Sequence, residues 1–183
     1  MQDNNNNRPI DFMQQLTIFK ILTFILVPFA ILFGLMDIIL LLSALANPTF
    51  LFAVFLVGGF CIYVFASLFF ITKHVKHNMP APASTKDWIR VNAFVSLFFS
   101  FMFLMNSLSM FYMGDAELKT IIDKFLDTQS KLPAEFTPAL FVKLMRSISY
   151  FFFFFSLILL AHLSICFKLL KQYAYLFLPK DPA

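Results

Sequence analysis

Residues 18–46 read IFKILTFILVPFAILFGLMDIILLLSALA, and residues 49–72 read TFLFAVFLVGGFCIYVFASLFFIT. Each exceeds the ~20 predominantly apolar residues that carry an α-helix through the hydrocarbon core of a bilayer. Only Asn47 and Pro48 separate them. Asn47 suits the N-cap of the second helix, and Pro48 its first position, where a missing N–H costs nothing. So short and uncharged a joint predicts a tight helical hairpin whose two arms pack side by side.

Two further apolar stretches lie downstream, at 88–113 and 147–167. Thr137-Pro138 reads as the cap and first residue of a last helix over 138–171, near 50 Å long at ~1.5 Å per residue. That exceeds a ~30 Å hydrocarbon core, so its first turns, with Lys143 and Arg146, are expected to project beyond the membrane. The composition agrees: of 183 residues 60% are hydrophobic and 13% charged, and the mean hydropathy is +0.81. A water-soluble domain of this size could not keep so much apolar surface dry. The expected fold is therefore all-α, an integral membrane four-helix bundle over 1–183 with spans at 18–46, 49–72, 88–113 and 138–171. The pattern is generic and points to no particular family.

The remaining segments fit round these spans. Residues 1–16 form a polar tail, MQDNNNNRP, leading into a short interfacial helix marked by Phe12, Met13 and Leu16. The acidic, Asn-rich start and the length of the first apolar stretch argue for an uncleaved anchor over a signal peptide. Ser84 followed by Asp87 resembles a capping-box start to the third span. Residues 115–132 set Leu118, Ile121, Ile122, Phe125 and Leu126 against Glu117, Lys119, Asp123, Lys124 and Asp127, which predicts an amphipathic helix between spans three and four. Residues 176–179, LFLP, read as a short interfacial tail.

The formal charge of +4 reports topology and not nucleic-acid binding, because the basic residues flank the spans. Arg8, Lys20, Lys73, Lys76, Lys86, Arg90, Lys168, Lys171 and Lys180 fall on one side. The other side carries the uncharged hairpin and the 115–135 loop, where five acids face three lysines. The positive-inside rule then puts both termini in the cytoplasm or its equivalent, for a bacterial inner membrane or an organelle membrane. The cluster Lys73, His74, Lys76 and His77 is expected to meet anionic lipid headgroups.

Few residues are out of place in lipid. Asp37 lies inside the first span, where a carboxylate costs ~2.5–3.5 kcal/mol on insertion scales. It falls on a stripe with Ala30, Gly34, Leu41 and Ala44 at 4-3-4-3 spacing, a seam of small residues suited to close helix approach. The third span has a matching stripe of Ala93, Ser96, Ser100 and Ser107, flanked by Asn92 and Asn106. One reading makes Asp37, Asn106, Ser100, Ser107 and Arg146 a proton or cation path, for which a homo-oligomer would supply a ring of acids. The plainer reading is a structural Asp37, paired with Arg146 or hydrogen-bonded to Asn106. A single acid is a thin basis for transport, since relays need several polar stations.

Other candidates point to packing. Cys61 and Cys166 should lie at different depths, as two thiols without a disulfide. His162 invites a haem reading, but haem needs two facing axial ligands, and His74 sits at the wrong depth. His162 is expected to bond a neighbouring Ser or carbonyl instead, with no metal and no cofactor. Gly58-Gly59 reads as close helix packing more readily than as a hinge. No nucleophile elbow, phosphate loop, zinc-protease or dinucleotide motif is present, so an enzyme is not expected. The leading functional expectation is a non-catalytic small subunit or assembly factor of a larger membrane complex, whose partners are the lipid bilayer and other membrane subunits or itself. The alternative is a homo-oligomeric channel or small transporter using Asp37.

Overall fold

The computed structural model describes residues 8–127 and 137–177. The fold is all-α, and no strand occurs among the described residues. Helix α1 runs Arg8–Ala46, α2 Leu51–Phe69, α3 Ala83–Tyr112, α4 Asp115–Asp127 and α5 Pro138–Gln172. Four segments are long and apolar enough to cross a membrane, namely Met13–Ala46, Pro48–Val75, Ala83–Tyr112 and Pro138–Gln172. The chain is a multi-pass membrane protein.

Local chemistry explains most boundaries. Asn47 is extended, and its Oδ1 accepts from the Thr49 N–H (3.1 Å) and hydroxyl (2.8 Å), so the hairpin cap forms as the sequence requires. The Leu140 N–H donates to Thr137 Oγ1 at 3.3 Å, which starts α5 at Pro138. The interfacial segment and first span form one continuous α1, which carries Pro28 in its interior. That proline withdraws the N–H that would bond the Phe24 carbonyl. Two boundaries depart from expectation. α3 begins at Ala83, one residue ahead of Ser84, just after Ala81, whose N–H donates to the Leu176 carbonyl (2.7 Å). α2 also continues past Phe69 into a π-helical turn, Phe70–Val75, closed by the Lys76 N–H bonding the Ile71 carbonyl. Asn78, with φ 49°, ends it in the left-handed region that Asn tolerates.

The chain forms two compact units. The first comprises the chain up to Phe99 and from Ile158 onward, and is a bundle of α1, α2, the first part of α3 and the last part of α5. Its core holds Phe19, Leu26, Ala30 and Phe33 of α1, Phe60 and Val64 of α2, Ile89 and Ala93 of α3, and Leu159 and Leu163 of α5. Phe33 sets its edge against Phe60 (5.8 Å) and Phe99 (6.1 Å), so three helices share one aromatic cluster. Gly59 lets α2 close on α3: a Cβ there would stand 2.5 Å from Val95 Cγ1. Close packing is thus the role of Gly59, and α2 is unbroken through it.

The second unit spans Ser100–Leu157. Within it Phe103 stacks on Phe152 at 4.3 Å, and Ser100 Oγ donates to the Ser156 carbonyl at 3.0 Å. α4 buries Leu118 and Ile122, whereas Ile121 and Phe125 stay about half exposed. The apolar face of α4 is therefore narrower than the sequence pattern proposed. The expected residues 128–132 of this helix, and Leu178 and Pro179 of the tail, lie outside the described residues.

Candidate functional site

His162 is fully buried within the first unit. It lies on the buried stripe of α5 formed by Phe155, Leu159, His162, Cys166, Leu169 and Tyr173, at spacings of four and three. α2 presents a matching stripe, Leu56, Phe60, Tyr63, Ser67, Phe70 and His74. Tyr63 Oη lies 2.7 Å from His162 Nδ1, and Thr23 Oγ1 of α1 lies 2.8 Å from Nε2. The Thr23 hydroxyl hydrogen goes to the Phe19 carbonyl at 2.7 Å. Thr23 Oγ1 is therefore the acceptor for an Nε2–H, and the Tyr63 O–H donates to Nδ1. A neutral imidazole satisfies every bond in this chain. The ring also stacks on Phe19 with centroids 4.3 Å apart.

This node joins three helices through one imidazole. The expected Ser or carbonyl partner is replaced by Thr23 and Tyr63. Both ring nitrogens are engaged, so the arrangement offers no free lone pair to a haem iron. Among the described residues, no group of three His, Cys, Asp or Glu side chains comes close enough to hold a metal ion.

Asp37 presents the opposite case. It is half-buried on the α1 seam facing α2, where a Cβ on Gly58 would stand 3.2 Å from its Oδ2. The seam runs as expected at Ala30 and Gly34: Cys61 Sγ donates to the Ala30 carbonyl at 3.3 Å, and Gly34 lies against the same sulfur. Leu41 leaves it, being about half exposed. Asp37 Oδ1 is enclosed and has no hydrogen-bond partner among the described residues.

The residues expected to serve Asp37 have other engagements. Arg146 donates to the Met110 and Met113 carbonyls and to Asp115 Oδ1 at 2.8 Å. It thereby caps the C-terminal carbonyls of α3 and meets the first acid of α4. The Asn106 amide is exposed to the surface and donates to the Met102 carbonyl of its own helix. Ser100 and Ser107 are buried, but each donates to a main-chain carbonyl, that of Ser156 and of Phe103. Asn106 and Ser107 line, with Ser149 and Phe152, a groove of about 210 Å³.

The basic end of α2 needs one correction. Lys73, Lys76 and His77 are exposed, but His74 is buried and cannot meet a headgroup. It continues the buried stripe of Ser67 and Phe70, its Nδ1–H donates to the Pro80 carbonyl at 2.9 Å, and its ring lies against Phe69 and Phe70. The tail is also placed differently: Leu176 is buried, and Phe177 stacks on Phe70 at 5.3 Å. This segment packs on protein because the Ala81–Phe177 bridge draws it against the α2–α3 connection.

Neither Thr23 nor Tyr63 was singled out in the sequence, although a signal existed. The seam face carried back from Ala30 by steps of four and three reaches Leu26, Thr23 and Phe19. No protein family, curated protein or solved structure matches this chain.

Proposed function

We propose that this chain is a non-catalytic subunit or scaffold of a larger membrane complex, docked through the α1 face that borders Asp37. The observation that carries this reading is the unpartnered Asp37 carboxylate. It lies nine residues before the end of α1, roughly 14 Å along the helix axis, which is deep in a span. A carboxylate there is costly unless it meets a cation, a donor or water. The chain's own candidates are bonded elsewhere, so a donor on a neighbouring transmembrane helix is the natural complement. The most apolar stretch of α1 is also the least covered of the four spans, 17% buried against 56% for α2.

The polar inventory supports the same reading. His162, Tyr63 and Thr23 bond one another, and Ser96, Ser100 and Ser107 of α3 donate to main-chain carbonyls, so the buried stripe of α3 does not read as a line of free polar groups for a solute. For orientation we propose that both termini face the cytoplasm or its equivalent, since the basic residues gather at that side.

The test is extraction of the tagged protein in mild detergent, followed by native mass spectrometry. Stoichiometric foreign subunits that are lost on Asp37→Asn support the proposal. A symmetric homo-oligomer with cation or proton flux in liposomes, abolished by Asp37→Asn, would instead establish a channel or transporter.

A further inference from the structure

A second feature of the first unit stands apart from Asp37. Between the start of α3 and the end of α5 lies a groove of about 370 Å³ lined by Lys86, Arg90, Phe94, Phe167, Leu170 and Lys171. The two helices run in opposite senses through it. On α3 the order is Lys86, Arg90, Phe94, and on α5 it is Phe167, Leu170, Lys171. The cations thus gather at the end where α3 begins and α5 finishes. The Phe94 and Phe167 rings, 5.4 Å apart, form the wall further into the spans.

The charges here lack acidic partners. The one ion pair among the described residues is Arg146 with Asp115, far along the chain from this groove. Asp87, the acid nearest in sequence, lines a different groove with Ser84, Trp88 and Val91. Lys86 lies half-buried, 5.7 Å above the Phe177 ring, while Arg90 and Lys171 are exposed. Three like charges round one apolar cleft repel one another until an anion joins them. A ligand matched to this gradient has an anionic head and an apolar tail.

We infer that the groove is a binding site for an anionic glycerophospholipid, its phosphate held by Lys86, Arg90 and Lys171 and an acyl chain laid along Phe94 and Phe167. Basic pockets between transmembrane helices recognise anionic headgroups by this means. The site depends only on the chain being a membrane protein, so it stands or falls separately from the subunit proposal.

The experiment is native mass spectrometry of the full chain titrated with phosphatidylglycerol or phosphatidylcholine in detergent. It compares wild type with Arg90→Gln/Lys171→Gln and with a control, Lys119→Gln/Lys124→Gln, which removes as many exposed cations from α4. Both pairs lie on the surface, and thermal unfolding in detergent checks that each variant is folded. We expect phosphatidylglycerol to be retained over phosphatidylcholine, and the groove variant to lose about tenfold or more of that preference. The control should keep it. Equal retention of the two lipids would overturn the site, as would an unchanged groove variant or a control that loses as much. Glycerol 3-phosphate binding as tightly as the lipid would overturn the acyl-chain contact and leave a free-anion site.

Discussion

His162 and Asp37 are both polar residues set into spans of the same helical unit, and the chain treats them oppositely. His162 is fully buried and has a partner for each ring nitrogen. Asp37 is half-buried and has an enclosed oxygen with none among the described residues. A buried polar group whose partners all come from its own chain serves the fold. One that the chain leaves unmatched has its complement elsewhere, in water or in another protein. The contrast separates what this molecule does for itself from what it offers to others, and substitutions at each end can break it.

The largest effect is expected at His162. His162→Ala removes the ring between Phe19, Thr23 and Tyr63, opens a cavity and takes the Nδ1 acceptor from the Tyr63 hydroxyl. Large-to-small changes of this kind cost about 2–5 kcal/mol. His162→Phe keeps the ring volume and the stack on Phe19 but removes the Nδ1 acceptor of Tyr63, whose hydroxyl still has Cys166 and Ser67 beside it, for about 0.5–1.5 kcal/mol. Reversible unfolding in detergent should rank Ala below Phe below wild type. Were both variants as stable as wild type, the node would not be structural and the contrast with Asp37 would fail.

A smaller effect is expected where α2 closes on α3. Gly59→Ala drives a methyl group to 2.5 Å from Val95 Cγ1, whose β-branched side chain has little freedom to retreat. Overpacking of this kind costs about 1–3 kcal/mol. Gly58→Ala meets only the Asp37 carboxylate at 3.2 Å and should cost less. Val95→Ala combined with Gly59→Ala should recover most of the loss. That pair would show the glycine is there for close approach and not for flexibility.

At the corner of α3 and α4, Arg146→Met removes the donors to Met110 and Met113. Hydrogen bonds to a charged group contribute about 1.5–3 kcal/mol. The ion pair itself is the lesser part, because the Asp115 side chain is 79% exposed. Asp115→Asn should therefore change the unfolding midpoint little, in the range of about 0–1 kcal/mol.

The sequence carried the architecture because its signals were long and redundant: four apolar stretches, the Asn47-Pro48 joint and the Thr137-Pro138 start each fixed an element on local chemistry alone. Site residues were less legible. Asp37 was found because charge in lipid is rare, and its seam was legible because small residues repeat at helical spacing. Its supposed partners were not, since Arg146 could as well answer the open carbonyls of α3, and nothing in the spacing says which. Thr23 and Tyr63 escaped notice because hydroxyls are common in spans, and only the meeting of three helices makes these two matter. His74 was misread as well. It continues the stripe of Tyr63, Ser67 and Phe70 at spacings of four and three, but its place between two lysines read as a headgroup cluster.

The smallest effect on stability, and the largest on assembly, is expected at Asp37. Asp37→Asn removes a charge that has no partner among the described residues, so the isolated protein loses no bond seen there and is relieved of a carboxylate in an apolar setting. Its unfolding midpoint should stay within about 0.5 kcal/mol of wild type, or rise. Its association with other subunits should fall sharply, because a cation or donor on a neighbouring helix would lose its counterpart where water is scarce. The diagnostic quantity is the difference between these two responses, read on one preparation by unfolding in detergent and by co-purified mass. A large loss of stability with association intact would make Asp37 another internal residue like His162, and the division between the two would disappear.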